Sequence, residues 1–191
     1  MEKYRGMLVE NFLSSEENSL ILDFAKTTDS WERSEPDSFW DNRVVNAQNI
    51  YRNHNKEVGL LMLEIRNRAA EKIKEQYGLP EVYPDVMVLA RWFPGQEQPP
   101  HADDMRNVDG HEAFHHREFG SIIYLNEDYS GGHTFYPDHS IEVTPKSGML
   151  AVHPASTDHF HGVTKVEGGM RYTIASFWTT QKQFNDQWEL Y

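Results

Sequence analysis

The sequence predicts an α+β protein in which helices come first, a β-domain follows, and the helices buttress one sheet. Three observations predict it. Two stretches in the first eighty residues repeat apolar side chains at helical spacing. From residue 82 onward, short β-branched and aromatic runs alternate with Gly, Pro, Asp and Ser turns, the texture of a sandwich, jelly roll or barrel. A chain of 191 residues is long enough for one sizeable core and short for two. The expected organisation is a single domain over 1–191. Its helical part covers about 1–80, its β-core about 82–180, and a short tail 181–191.

Taken in order, "SSEENSLILDFAK" opens with the capping-box pair Ser14 and Glu17 and puts Leu20, Ile21 and Phe24 on one face. "WERSEPDSFWDNRVVNAQNIY" reads as a loop with short extended pieces. "NKEVGLLMLEIRNRAAEKIKEQYG" is a second helix, with apolar residues at Val58, Leu61, Met62, Ile65, Ala69 and Ile73. It stops at Gly78 and Pro80, a C-cap and a breaker. The strands expected after it are "VYPDVMVLARWF", "EFGSIIYLNED", "GGHTFYP", "SIEVTPKSG", "MLAVHP" and "GMRYTIASFWTT". The tail "QKQFNDQWELY" has three aromatics that either pack back on the domain or meet a partner.

Composition narrows the function. A formal charge of -12 argues against phosphate-backbone binding as the main task, so nucleic acid is a disfavoured partner. One or two arginines could still hold a small anion. With no cysteine, disulfides, thiolate metal sites and a Cys nucleophile are excluded. "MEKYRGMLVENFL" lacks the continuous apolar stretch of a signal peptide, and no segment is long enough to span a membrane. The expectation is a soluble cytoplasmic protein with no membrane partner.

Chemistry concentrates in two places. In "PPHADDMRN", His101 and Asp103 are alternate residues, and on an extended segment they share a face and can give two ligands to one metal. Taken alone the pair also suits a polar turn. A third ligand must come from "HPASTDHFHGVTKV", which holds His153, His159 and His161. His159 and His161 form a rival His-x-His pair of the kind found in zinc sites and cupin-like barrels. Arg171, ten residues after His161, favours the first arrangement. Its guanidinium is a planar fork suited to a carboxylate, and a hairpin through Glu167, Gly168 and Gly169 would return it beside His161, with Thr173 on its same face. Two histidines and one carboxylate on one side of an ion leave open positions, as in non-haem Fe(II) oxygenases.

Over about half its length the chain resembles the Fe(II)/2-oxoglutarate-dependent oxygenases, most closely the prolyl 4-hydroxylase-like branch. The matching stretches, in order, are "RWFPG", "HAD", "REFGSIIYLNEDYSGGHTFYP", "PKSGMLAVHP" and "HGVTKVEGGMRYTIASFW". The resemblance implies a double-stranded β-helix (a jelly-roll, cupin-like core) of two facing sheets with the metal at its open mouth. It implies His101, Asp103 and His161 as Fe(II) ligands, and Arg171 on the distal carboxylate of 2-oxoglutarate. Thr173 and Tyr124 would be further contacts to that co-substrate. The implied reaction uses O2 to hydroxylate a C–H bond and releases succinate and CO2, with ascorbate admitted as an accessory. A prolyl residue of a peptide or protein is the implied substrate.

Two departures stand out. The family often has a tyrosine before the Pro-Gly of its first core strand, where this chain has Trp92 and Phe93, with one hydrogen bond lost near the site. The familiar "GGET" is "GGHT", which places His133 at the surface or behind the ligands. His153 is expected to be structural. His159 is expected to be exposed or to stand behind the ligands. The group His111, His115 and His116 is read as a solvated loop, and Trp31, Trp40 and Trp178 as core. Competing functions are a small-molecule or free amino-acid hydroxylase and a non-enzymatic cupin-like metal or ligand binder using His159 with His161. Nucleic-acid dealkylation is disfavoured by charge, and halogenation by the presence of Asp103.

Overall fold

The computed structural model describes residues 4–35, 38–104 and 114–188. The chain begins with a short strand, β1 (Met7–Val9), and then α1 (Ser15–Thr27). Both halves of the expected capping box form, with the Ser14 hydroxyl accepting from the Glu17 N–H and the Glu17 carboxylate accepting from the Ser14 N–H. The segment expected as loop holds β2 (Val44–Asn46), then a helical turn α2 (Ala47–Asn49) and a π turn at Ile50–His54. The helical part was not anticipated. The Asn46 side chain caps it by accepting from the Gln48 N–H. Next comes α3 (Lys56–Tyr77), stopped at Gly78 with φ 66°, the left-handed conformation glycine adopts without a Cβ clash.

The strands follow as β3 (Tyr83–Trp92), β4 (Gln98–His101), β5 (Phe119–Tyr124), β6 (Ser130–Gly131), β7 (Thr134–Tyr136), β8 (Ile141–Val143), β9 (Leu150–Pro154), β10 (His161–Val163), β11 (Val166–Gly168) and β12 (Arg171–Thr179). They form a six-stranded sheet in the order β1-β9-β5-β12-β3-β2, a four-stranded sheet β4-β10-β7-β8, and the small pair β11-β6. All pairings are antiparallel. Strands β9, β5, β12 and β3 face the four of the smaller sheet as the expected double-stranded β-helix, and β1 and β2 extend the larger sheet at its edges.

One face of the larger sheet carries the helices. Val58, Met62, Ile65, Ala69 and Ile73 of α3 join Ile21 and Ala25 of α1 in one buried cluster with Leu89, Ile123, Val152, Ile174 and Trp178 of the sheet. Burial of such side chains is the main stabilising term, about 1.5–3 kcal/mol for each one fully buried. Smaller clusters lie between the sheets, around Tyr124, Tyr136 and Met149 and around Trp92, Val163 and Val166. The tail returns to the domain. Asp186 pairs with the buried Arg66 at 3.5 Å, and the Trp188 ring lies 4.9 Å from the same guanidinium. No helix among the described residues is long and apolar enough to cross a membrane.

The expected hairpin from His161 to Arg171 does not form. β10 belongs to the smaller sheet and β12 to the larger, and the chain between them detours through β11, which pairs with β6. Arg171 therefore faces His161 across the space between the sheets.

Candidate active site

The site is built from the edge of the smaller sheet inward. Pro99 and Pro100 lack the N–H of a central strand, and β4 lies at a sheet edge where that loss is tolerated. β4 ends at His101, which pairs opposite His161 at the start of β10. Asp103 lies in the turn that follows β4, so the turn, not strand alternation, folds it back toward His101. One potential ligand atom from each of His101, Asp103 and His161 lies within 4.8 Å of the others. Asp103 Oδ1 is 3.6 Å from Nε2 of His101 and 3.6 Å from Nε2 of His161.

The two imidazoles are oriented alike. Nδ1 of His101 lies 3.1 Å from the Pro99 carbonyl, and Nδ1 of His161 lies 3.2 Å from the His159 carbonyl. A carbonyl can only accept, so each Nδ1 carries the hydrogen and each Nε2 keeps its lone pair for a metal. Burial, then the neighbouring His153, pulls His161 down to about 3. Burial pushes Asp103 upward, but the hydrogen bond from His153 and the charges of His161, His153 and His101 outweigh it and set it at about 2. The ensemble is one carboxylate and two imidazoles that aim Nε2 at the same space, the donor set that suits Fe(II).

Across the cleft, Arg171 opens β12 and is 1% exposed. Its Nε and Nη2 are buried without a hydrogen-bond partner, a costly arrangement for a charged donor. The guanidinium lies 5.0 Å from the Trp92 ring and 5.4 Å from the Tyr124 ring. Thr173, two residues on, shares its face and its burial. Tyr129 stands beside the guanidinium with its own hydroxyl buried and unpaired. Burial pushes that phenol up to about 12 against the opposing pull of Arg171, so it is a donor at neutral pH. His101, Asp103, His161, Arg171 and Thr173 line one cleft with Trp92 and Phe177. Unpaired donors at one end and a candidate metal-ligand set at the other fit a dicarboxylate reaching between them, as 2-oxoglutarate would.

The remaining expectations divide. Tyr124 is fully buried beside Arg171, but its hydroxyl donates to Thr134 Oγ1 at 2.7 Å. Trp92, standing near the usual tyrosine, offers ring faces in place of a hydroxyl. Arg43 lies 4.3 Å from that ring and Arg171 5.0 Å. His133 sits partly exposed and is paired with Glu142.

Several expectations need correction. The His159 side chain is neither exposed nor behind His161, although its carbonyl is. A 3-10 turn at Thr157–His159 breaks the alternation with His161, and its buried ring accepts from the Arg5 N–H at 3.2 Å. His116 is not a solvated residue, because it is buried and stacks at 3.9 Å on Phe184. His115 is exposed, and His111 lies outside the described residues. Trp31 and Trp178 are core, but Trp40 is 37% exposed and lines the cleft. His153, expected to be merely structural, lies 3.0 Å from Asp103 Oδ2. Tyr129 had drawn no attention in the sequence, and only its neighbour Arg171 could have pointed to it.

The family model described as the 2OG-Fe(II) oxygenase superfamily matches residues 87–179. Human prolyl 3-hydroxylase 3 is 29% identical over 80 residues, 39% of this chain but only 11% of that protein. The viral collagen prolyl hydroxylase of Paramecium bursaria Chlorella virus-1 superposes with a TM-score of 0.68 at 17% identity, covering 94% of this chain and 97% of that one. A Pseudomonas putida prolyl-4-hydroxylase gives 0.63 at 17%, covering 94% of each chain. The structural matches carry the fold, and the family match falls on the strands that hold the site. The part of the chain that carries the site, residues 87–179, matches the 2OG-Fe(II) oxygenase superfamily, and the metal and co-substrate of that name, Fe(II) and 2-oxoglutarate, fit the residues gathered here.

Proposed function

We propose that the protein is a dioxygenase that hydroxylates a prolyl residue in a peptide or protein. The observation that carries the reaction class is the buried Arg171, whose two unpaired donors stand in the same cleft as His101, Asp103 and His161. The substrate is supported by the names of the similar proteins, which are prolyl hydroxylases.

Each residue has a defined task. His101 and His161 would present neutral Nε2 atoms to Fe(II), and Asp103 would present Oδ1. Arg171 would take the far carboxylate of 2-oxoglutarate in a charge-assisted pair, with Thr173 and Tyr129 as neighbouring hydroxyl donors. Tyr124 would act through its ring, since its hydrogen is engaged by Thr134. Fe(II) and 2-oxoglutarate, when bound, supply the oxidative decarboxylation that places one atom of O2 in succinate, releases CO2 and leaves the other for a C–H bond. Trp92, Ile122, Val163, Ala175 and Phe177 wall the cleft with apolar surface and limit water. Trp40 stands at its rim, where a substrate side chain would enter.

A cupin-like binder using His159 with His161 is disfavoured, because His159 turns toward the N-terminal segment. The substrate assignment is tested by mass spectrometry of proline-rich peptides and of free amino acids after incubation with Fe(II), 2-oxoglutarate and O2. A gain of one oxygen on a prolyl residue is expected. Oxygen gained on free amino acids alone would move the assignment to a small-molecule hydroxylase.

A further inference from the structure

Asp103 has two carboxylate oxygens, and the structure treats them differently. Oδ1 faces the two histidine Nε2 atoms, at 3.6 Å from each. Oδ2 lies 3.0 Å from Nε2 of His153. His153 sits in β9 of the larger sheet and is 1% exposed. Its Nδ1 lies 2.9 Å from the hydroxyl of Tyr136, which is itself fully buried in β7 of the smaller sheet. A hydrogen-bonded chain thus spans the interior from one sheet to the other and ends on the carboxylate.

Its direction follows from elementary chemistry. An ionised carboxylate can only accept, so His153 Nε2 carries a hydrogen. The Nδ1 of that tautomer is an acceptor, so Tyr136 donates its O–H to it. The room for this arrangement comes from a glycine. Gly120 pairs with His153 across β5 and β9, and a Cβ there would fall 2.2 Å from Asp103 Oδ2 and 2.5 Å from His153 Nε2. Any side chain at 120 would drive the pair apart.

We propose that His153, held in one tautomer by Tyr136, is a positioning residue that engages Oδ2 and makes Asp103 a one-oxygen ligand. A carboxylate free to offer both oxygens could fill a second position on the ion. Holding Oδ2 back keeps that position for co-substrate or dioxygen and fixes the carboxylate's tilt. Partners behind metal ligands orient them and tune their basicity, and here the partner also limits how many atoms the ligand gives.

The test uses Co(II), a probe with visible d–d bands that needs no turnover, titrated into the metal-free protein. His153→Leu is expected to bind Co(II) about 10- to 100-fold more weakly, the range for loss of such a partner, and to alter the d–d spectrum as coordination changes. His153→Gln, whose side-chain amide N–H can replace the Nε2 donor, is expected to recover most of the affinity. Tyr136→Phe, which removes the tautomer lock and leaves His153 Nδ1 without its donor, should fall between them while remaining folded. If His153→Leu does not fold, Tyr136→Phe and His153→Gln carry the test. Because this rests on the ligand assignment above, Asp103→Ala is titrated alongside. Failure of the wild type to bind, or binding by Asp103→Ala as tight as wild type, removes the ligand assignment itself. Loss of binding in Asp103→Ala, with His153→Leu and Tyr136→Phe unchanged in affinity and spectrum, overturns the positioning role alone.

Discussion

Replacing Arg171 by methionine should separate stability from function, leaving the first nearly unchanged and removing most of the second. The guanidinium is buried with Nε and Nη2 unpaired, and each unsatisfied buried donor costs about 1–3 kcal/mol. Methionine has similar reach and no polar hydrogen to satisfy. The relief is offset by two lost ring contacts, to Trp92 and Tyr124, about 2 kcal/mol each at a desolvated site. The metal-free variant is therefore expected within about 2 kcal/mol of wild-type stability. Co-substrate binding should fall steeply. Hydrogen bonds to charged groups contribute about 1.5–3 kcal/mol each, so losing two weakens 2-oxoglutarate by roughly 3–6 kcal/mol, about 10²- to 10⁴-fold. Thermal or urea unfolding measures the first effect. Calorimetric titration of 2-oxoglutarate into the Co(II)-loaded protein measures the second. A variant destabilised by more than about 2 kcal/mol that binds 2-oxoglutarate like wild type would show that the arginine is a core residue and not an anion site.

Further outcomes follow from the same geometry. Asp103→Ala should abolish 2-oxoglutarate-dependent succinate release, whereas His159→Ala should retain it, because His159 faces Tyr4 and Arg5; a succinate assay on both reads the difference. The metal-free protein should lose stability in acid. His161 is held neutral down to about 3 and Asp103 ionised down to about 2, so the unfolded chain takes up protons first. Stability is full above the ordinary histidine pKa and falls from there to about pH 3, by on the order of 5 kcal/mol from His161. Asp103 adds a further loss below the ordinary aspartate pKa. Urea unfolding across pH checks the slope, and His161→Leu should flatten it between about pH 6.5 and 3. Ser14→Ala removes one half of the capping box and should lower stability by about 1 kcal/mol in the same unfolding assay.

What the sequence made legible was local or rigidly spaced. The capping box at Ser14 and the left-handed stop at Gly78 depend on neighbours three or four residues away, and both form. The apolar stripe of α3 follows from helical period, and the six expected strands follow from composition. His101, Asp103, His161 and Arg171, which the fold brings to one cleft, were singled out by their order and spacing along the chain. What escaped depends on partners distant in sequence. β1 is three residues long and exists because β9 pairs with it. His116 is buried by Phe184 from the tail, and His153 meets Asp103 only through the register that sets it opposite Gly120. The fate of His159 turned on one 3-10 turn, which reverses the parity that strand alternation assigned to it. The hairpin expected before Arg171 failed for a related reason: residues close in sequence were sent to opposite sheets.

The proposed activity couples 2-oxoglutarate decarboxylation to hydroxylation in this cleft through Fe(II). Its most direct test is succinate release measured with a proline-rich peptide while Fe(II) and 2-oxoglutarate are each omitted in turn. Succinate that forms only when both are present, in step with one oxygen gained by the peptide, is the predicted result. Tight zinc binding at His101, Asp103 and His161 with no succinate under any of these conditions would contradict it.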